Sequence, residues 1–177
     1  MENPITKSYT NRLVLNEVFV AEKDVAQTSC YRLTVDNKDM GKFKSSGLII
    51  ATGTGSSGWL YSARQITYHD VGTIQSFLGN YENTELANIH LSRLISSSNV
   101  FPYDSDKLYY FVREGYTMDP ATYSWRAEGY CNVIKVISEM IDGSIQIDGY
   151  QKIKIGMGDH FFVRSKPELS LKCIKLL

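Results

Sequence analysis

The sequence predicts an α+β domain, mainly β, built as an antiparallel sandwich-like sheet system with a helical insertion. Three observations carry that prediction. Short apolar runs rich in β-branched and aromatic residues recur on both sides of the chain's middle, punctuated by Asp142-Gly143, Asp148-Gly149, Gly156-Met157-Gly158-Asp159 and Lys166-Pro167. The stretch between 59 and 95 switches to helical spacing. The strand–helix alternation that a parallel sheet requires is missing. A chain of 177 residues with 43% hydrophobic and 21% charged residues has the size and composition of one ordinary globular domain.

In chain order, residues 1–12 are polar and read as a disordered or extended N-terminus, with the domain expected over 13–177. Residues 13–20 form a strand candidate that Asn16 and Glu17 interrupt with two polar groups. Residues 30–35 alternate as a second strand, and 36–41 read as a turn. A third strand, 48–52, leads into a glycine-rich loop. Two helices are expected at 59–78 and 83–95, separated by Gly79-Asn80. In the second, Leu86, Ile89 and Leu94 recur at helical spacing and Thr84 stands where an N-cap would. Ser96-Ser97-Ser98-Asn99 ends the helical region, and short strands follow at 108–113, 130–137, 144–147, 151–155, 160–165 and 169–174.

Composition excludes several function classes. The formal net charge of +0 gives no electrostatic reason to expect nucleic acid or an anionic membrane as partner. No apolar run is long enough to span a bilayer, and no signal or transit peptide is read at the N-terminus. Cys30, Cys131 and Cys173 are odd in number and widely spaced, which fits a reducing compartment and neither a disulfide framework nor a zinc site. His69, His90 and His160 are scattered without metal spacing, so no metal ligand is assigned. Asp142 and Asp148 read as hairpin-turn residues.

The most informative stretch is residues 45–59, Ser-Ser-Gly-Leu-Ile-Ile-Ala-Thr-Gly-Thr-Gly-Ser-Ser-Gly-Trp. Glycines let backbone approach a ligand closely, and the hydroxyls of Thr54, Ser56 and Ser57 add polar contacts. Gly53-Thr54-Gly55-Ser56-Ser57-Gly58 matches the Gly-x-Gly-x-x-Gly dinucleotide fingerprint letter for letter. That fingerprint belongs to a parallel fold whose second strand ends in an acid roughly 20 residues on. Residues 73–85 are polar and broken by Gly79 and Asn80, so the parallel reading fails. What stands is a loop suited to phosphate or sugar.

Two further motifs give the loop a context. Leu15-Asn16-Glu17-Val18 lies about thirty residues upstream, and Ile147-Asp148-Gly149 followed by Gly158-Asp159 lies near the C-terminus. With the loop, these resemble the C-terminal domain of NAD kinases, a family with a Leu-Asn-Glu-Val-like strand, a Gly-Asp-Gly-Leu segment, a Ser-Thr-Pro-Thr-Gly-Ser-Thr-Ala-Tyr-like loop and a late Ile-Asp-Gly turn. The resemblance runs from about 13 to 174 and is tightest over 13–20 and 45–63. Departures at Ser46 (Asp in most members), Gly53 (Pro), Gly58 (Ala) and Trp59 (Tyr), with Val112-Arg113-Glu114 downstream, look like the mitochondrial-type branch.

The resemblance implies ATP-dependent phosphorylation of NAD to NADP at the adenosine ribose 2′-hydroxyl. It implies NAD contacts at Asn16, Glu17, Ser46, Thr54, Ser57, Gly58, Trp59 and Ser62, with Lys44 as a phosphate contact. An amide suits adenine and a carboxylate accepts ribose hydroxyl protons. ATP and Mg2+ would serve the complete enzyme. The family's catalytic carboxylate belongs to a Gly-Gly-Asp-Gly-Thr motif in an N-terminal α/β domain, and this sequence holds no Gly-Gly-Asp-Gly. The expectation is therefore the NAD-binding half, with no catalytic residue of its own and no significant activity alone. A non-catalytic dinucleotide-binding or oligomerisation module is the alternative. A homodimer or homotetramer is implied, as is a mitochondrial location, or a cytoplasmic one for a short form.

Overall fold

Among the described residues, ten strands build two antiparallel sheets. A computed structural model of the chain describes residues 11–79, 84–116, 118–119, 121–124 and 127–171. The strands are β1 (Glu17–Glu22), β2 (Ser29–Val35), β3 (Lys38–Ser45), β4 (Gly47–Ala51), β5 (Leu108–Arg113), β6 (Glu128–Cys131), β7 (Val133–Ser138), β8 (Gly143–Ile147), β9 (Gln151–Ile155) and β10 (His160–Arg164). Sheet A has the order β6-β5-β4-β1-β8-β9, and sheet B the order β10-β7-β2-β3. Every ladder is antiparallel, which excludes the parallel dinucleotide fold and bears out the sandwich.

Alternation decides what each face buries. Val18, Val20, Leu48, Ile50, Tyr110 and Val112 of sheet A meet Tyr31, Leu33, Phe43, Ile134 and Val136 of sheet B in the main core. The intervening residues Phe19, Ala21, Ile49, Ala51, Tyr109 and Phe111 point to sheet A's other face, where Leu60 and Phe101 cover them. The central strands of sheet A are thus buried on both sides, which is why their sequences read as unbroken apolar runs.

The helical region differs from expectation in one respect. Instead of one helix over 59–78, the structure has α1 (Trp59–Ala63) and α2 (Tyr68–Phe77), divided at Arg64–Thr67. The cause is a capping box: Asp70 N–H donates to Thr67 Oγ1 at 3.1 Å, and Thr67 N–H donates to the Asp70 carboxylate at 3.1 Å. α3 (Glu85–Ser97) starts at Thr84, whose hydroxyl accepts from Ala87 N–H at 3.3 Å, as the sequence predicts. Its apolar residues do not form the buried face: Leu86 and Leu94 are exposed, and Asn88, Ser92 and Ser96 are buried.

Three other differences have physical reasons. The sequence reads no strand at 38–45, yet β3 is there, with a register irregularity at Leu33/Thr34 and Gly41 at φ +85°. The run 130–137 is two strands, β6 in sheet A and β7 in sheet B, because the chain changes sheets at Asn132. Pro167–Leu169 is a single 3₁₀ turn where a strand is expected from 169, and residues 172–174 of that expectation lie outside the described residues. Most of the expected N-terminal tail, and Cys173, also lie outside them.

Candidate functional site

The glycine loop closes over the start of β1. Thr52 is the hinge: its N–H donates to the Asn16 carbonyl at 2.9 Å, and its hydroxyl to the Leu15 carbonyl at 2.6 Å. Gly55 N–H then donates to Thr52 Oγ1 at 3.2 Å. A Cβ at Gly55 would collide with the carbonyl of Asn16, so only glycine permits this approach. Ser56 is fully buried and acts as a pin: its hydroxyl donates to the Gly53 carbonyl at 2.7 Å and accepts from Phe101 N–H at 3.1 Å.

β1 is held from its other side by the turn between β8 and β9. Asp148 and Gly149 have φ +50° and +73°, and Tyr150 N–H donates to the Ile147 carbonyl at 3.2 Å, closing a tight hairpin. The Asp148 carboxylate accepts the backbone N–H groups of Leu15 at 2.9 Å, Asn16 at 2.7 Å and Glu17 at 3.1 Å. Reading Asp148 as a turn residue is thus correct but incomplete. Its carboxylate fixes the start of the Asn–Glu strand.

Glu17 pairs with Ala51 and, two residues from Phe19, shares the loop's face of sheet A. It is half-buried, and burial, followed by the nearby Asp148 carboxylate, pushes its carboxyl above the ordinary glutamate range. Asn16 is half-buried directly under Gly55. Thr54, Ser57, Gly58 and Ser62 are exposed on the loop and the first turn of α1. Among the described residues, the hydroxyl of Ser57 donates to the Thr54 carbonyl and that of Ser62 to the Gly58 carbonyl, both over a long 3.4 Å.

Trp59 packs one part of its ring on Phe19, centroids 4.5 Å apart and tilted 45°, while 39% of the residue stays exposed. Ser46 lies at the opposite end of β4 from Thr52, and its N–H donates to the Arg113 carbonyl at 3.2 Å. Arg113 shares this corner, its guanidinium 5.7 Å from the Trp59 ring centre. The structure therefore seats the Asn16 backbone under Gly55, puts Ser46 at the far end of β4, and brings Glu17 and Trp59, with the exposed Thr54, Ser57, Gly58 and Ser62, to the loop's face of sheet A. It does not bring Lys44 there. Lys44 is on β3 between the inward-facing Phe43 and Ser45, so it projects from the far face of sheet B, 4.9 Å from the Tyr116 ring centre. Among the described residues, no group of three or more His, Cys, Asp or Glu side chains could hold a metal ion. No helix of the described residues is long and apolar enough to cross a membrane.

Comparison with known proteins finds NAD kinases. No family model matches the chain. It is 29% identical over 141 residues to human "NAD kinase 2, mitochondrial", a match covering 76% of this chain and 31% of that protein. The Xenopus tropicalis protein of the same name is 26% identical over 156 residues, covering 76% and 36%. A Clostridium botulinum NAD kinase is 39% identical over 62 residues, covering 35% and 22%. Among solved structures, an Archaeoglobus fulgidus NAD kinase in complex with ATP superposes with TM-score 0.55 at 18% identity, covering 86% of this chain and 46% of that one. A yeast NADH kinase complexed with NADH gives TM-score 0.55 at 10% identity, covering 84% and 34%. The structural likenesses show the fold alone, and the chain spans about a third of the length of the mitochondrial relatives. Sequence motifs, curated relatives and fold agree in one likeness: the chain is similar to NAD kinases, the mitochondrial ones among them.

Proposed function

We propose that this chain is the dinucleotide-holding part of an enzyme that phosphorylates NAD to NADP at the adenosine ribose 2′-hydroxyl, with ATP as donor. One observation carries the reading: the Asn16–Glu17 strand start and the glycine loop form a single corner, with Gly55 seated on Asn16. In it, the Asn16 amide can donate to and accept from adenine, and the Glu17 carboxylate can accept ribose hydroxyls. Thr54, Ser57 and Ser62 supply hydroxyls along the loop. The exposed part of Trp59 offers a stacking surface for a flat ring, worth about 1–3 kcal/mol by analogy with base–aromatic stacking.

The transferred phosphoryl group needs a positioned nucleophile and neutralised charge. The chain's own contribution is to fix the acceptor ribose. A carboxylate for the hydroxyl proton and the ATP-holding groups belong, in this reading, to another part of the full-length enzyme. Assembly as a homo-oligomer and a mitochondrial location are part of the same proposal. Isothermal titration with NAD, run beside a coupled NADP assay with Mg-ATP, tests it. NAD binding without turnover is the expected result, and it is equally the result for a binding module. Addition of the Gly-Gly-Asp-Gly-Thr-containing segment of a mitochondrial relative then separates the two, with turnover restored only for the enzyme half. A purified chain that binds no NAD would overturn the proposal.

A further inference from the structure

The charge that faces the glycine loop comes from β5, not from β3. Tyr109 and Phe111 point to the loop's face of sheet A, and alternation puts Arg113 there as well. Its guanidinium carbon lies 5.7 Å from the Trp59 ring centre and 6.0 Å from that of Phe19. Its backbone is pinned by Ser46, whose N–H and hydroxyl donate to the Arg113 carbonyl at 3.2 and 3.4 Å.

Two features make Arg113 available to a ligand. Among the described residues its side chain meets an acid only at Glu114, 3.4 Å away, and that carboxylate is 70% exposed. An exposed neighbour pair of this kind contributes little and is readily exchanged. The guanidinium lies within cation–π reach of both rings, and its fork of N–H donors matches the geometry of a phosphate. The other cation on this face, Arg64, is committed: it pairs with Glu128 at 2.9 Å and lies 4.3 Å from the Tyr109 ring centre.

Position then suggests which anion. Glu17 pairs with Ala51 and Arg113 with Gly47. Four residue steps along β4 separate the two rungs, about 13 Å at about 3.3 Å per step. A ligand whose adenosine lies at Glu17 must extend past its own ribose before it meets Arg113. We propose that Arg113 is the anion-binding residue of the site and takes the diphosphate bridge of the dinucleotide, against the Trp59–Phe19 shelf. The inference rests on the dinucleotide reading above and adds to it a residue and a ligand group.

Titrations of the whole chain with NAD, ADP-ribose and adenosine, on wild type, Arg113→Gln and Arg113→Lys, test it. Arg113→Gln should weaken NAD and ADP-ribose by about ten- to a hundredfold, the loss expected for a charged hydrogen-bonding group. Adenosine should bind as before, and Arg113→Lys should fall between. Unchanged NAD affinity in Arg113→Gln overturns the inference, as does an equal loss for adenosine, which would make Arg113 a scaffold residue. Wild-type protein that binds adenosine and NAD equally well overturns it while leaving the adenosine corner standing. Wild-type protein that binds neither removes the dinucleotide reading itself and the inference with it.

Discussion

Two aspartates in left-handed hairpin turns invite comparison. Asp36-Asn37 joins β2 to β3 with φ +45° and +69°, and Asp148-Gly149 joins β8 to β9 with φ +50° and +73°. Each reaches beyond its own hairpin to backbone N–H groups of another strand. Asp36 uses one oxygen: Oδ1 accepts Asn132 and Val133 N–H, both at 2.9 Å. Asp148 uses both: Oδ2 accepts Leu15, and Oδ1 accepts Asn16 and Glu17. The first anchors the crossing from sheet A to sheet B. The second anchors the strand that the glycine loop sits on, beside a carboxyl already pushed up by burial. The same local device braces a crossing between sheets at one corner and the candidate site at the other. What differs is the neighbour it holds.

The site corner can be broken hardest from the loop side. Gly55→Ala drives a Cβ into the Asn16 backbone and should cost about 3 kcal/mol or more, measured by urea unfolding. Gly58→Ala, whose Cβ would have its nearest atom at 3.5 Å, is the control and should cost far less. Equal costs for the two would mean the loop does not rest on Asn16.

Next come the aspartates themselves. Asparagine keeps a tolerance for positive φ but leaves one acceptor oxygen. Asp148→Asn therefore loses a bond that both oxygens are needed to make, and should cost about 1–2 kcal/mol and weaken NAD binding. Asp36→Asn retains the one oxygen in use and should stay within about 0.5 kcal/mol at neutral pH, with NAD binding intact. The comparison fails if the two variants behave alike in both assays.

The smallest effects are in the pH profile, and they carry opposite signs. The backbone N–H groups of Val133 and Asn132, with Lys107 nearby, hold the Asp36 carboxyl below the ordinary range. Its stabilisation is present above the unfolded-state pKa and is lost as pH falls through the folded value. Asp36→Asn should thus flatten the acid limb of stability against pH. Glu17, raised by burial and by Asp148, behaves the other way: its contribution is full below the unfolded-state pKa and is lost as pH rises through the folded value. Glu17→Gln should raise the urea midpoint slightly at neutral pH while NAD affinity drops. A midpoint that falls instead would show that Glu17 makes a stabilising interaction as the carboxylate.

The parts of the fold that were legible in the sequence are those set by local chemistry. The Asp148-Gly149 turn, the Thr84 cap and the apolar runs of β1, β4 and β5 are encoded in residues next to one another in the chain. β3 was not legible, since only Phe43 and Ser45 of its eight residues are fully buried and its polar remainder reads as a turn. The break before α2 was carried by Thr67 and Asp70, a capping signal masked by the helix-compatible residues around it. Of the candidate site, the Asn16–Glu17 motif and the loop stand out in the sequence by residue type and spacing. Arg113 stood out only within Val112-Arg113-Glu114, with nothing in the sequence to place it beside Trp59, and Lys44 projects from sheet B instead.

Sequence by itself determined the two motifs, the turn chemistry and the antiparallel class, because each depends on side-chain type and on periods of two or three to four residues. Tertiary structure alone decided that Gly55 lies on Asn16, that Asp148 fixes the β1 start and that Arg113 stands with Trp59 while Lys44 does not. Those contacts join residues 39 to 133 positions apart, and which face a side chain takes depends on a register set by partner strands.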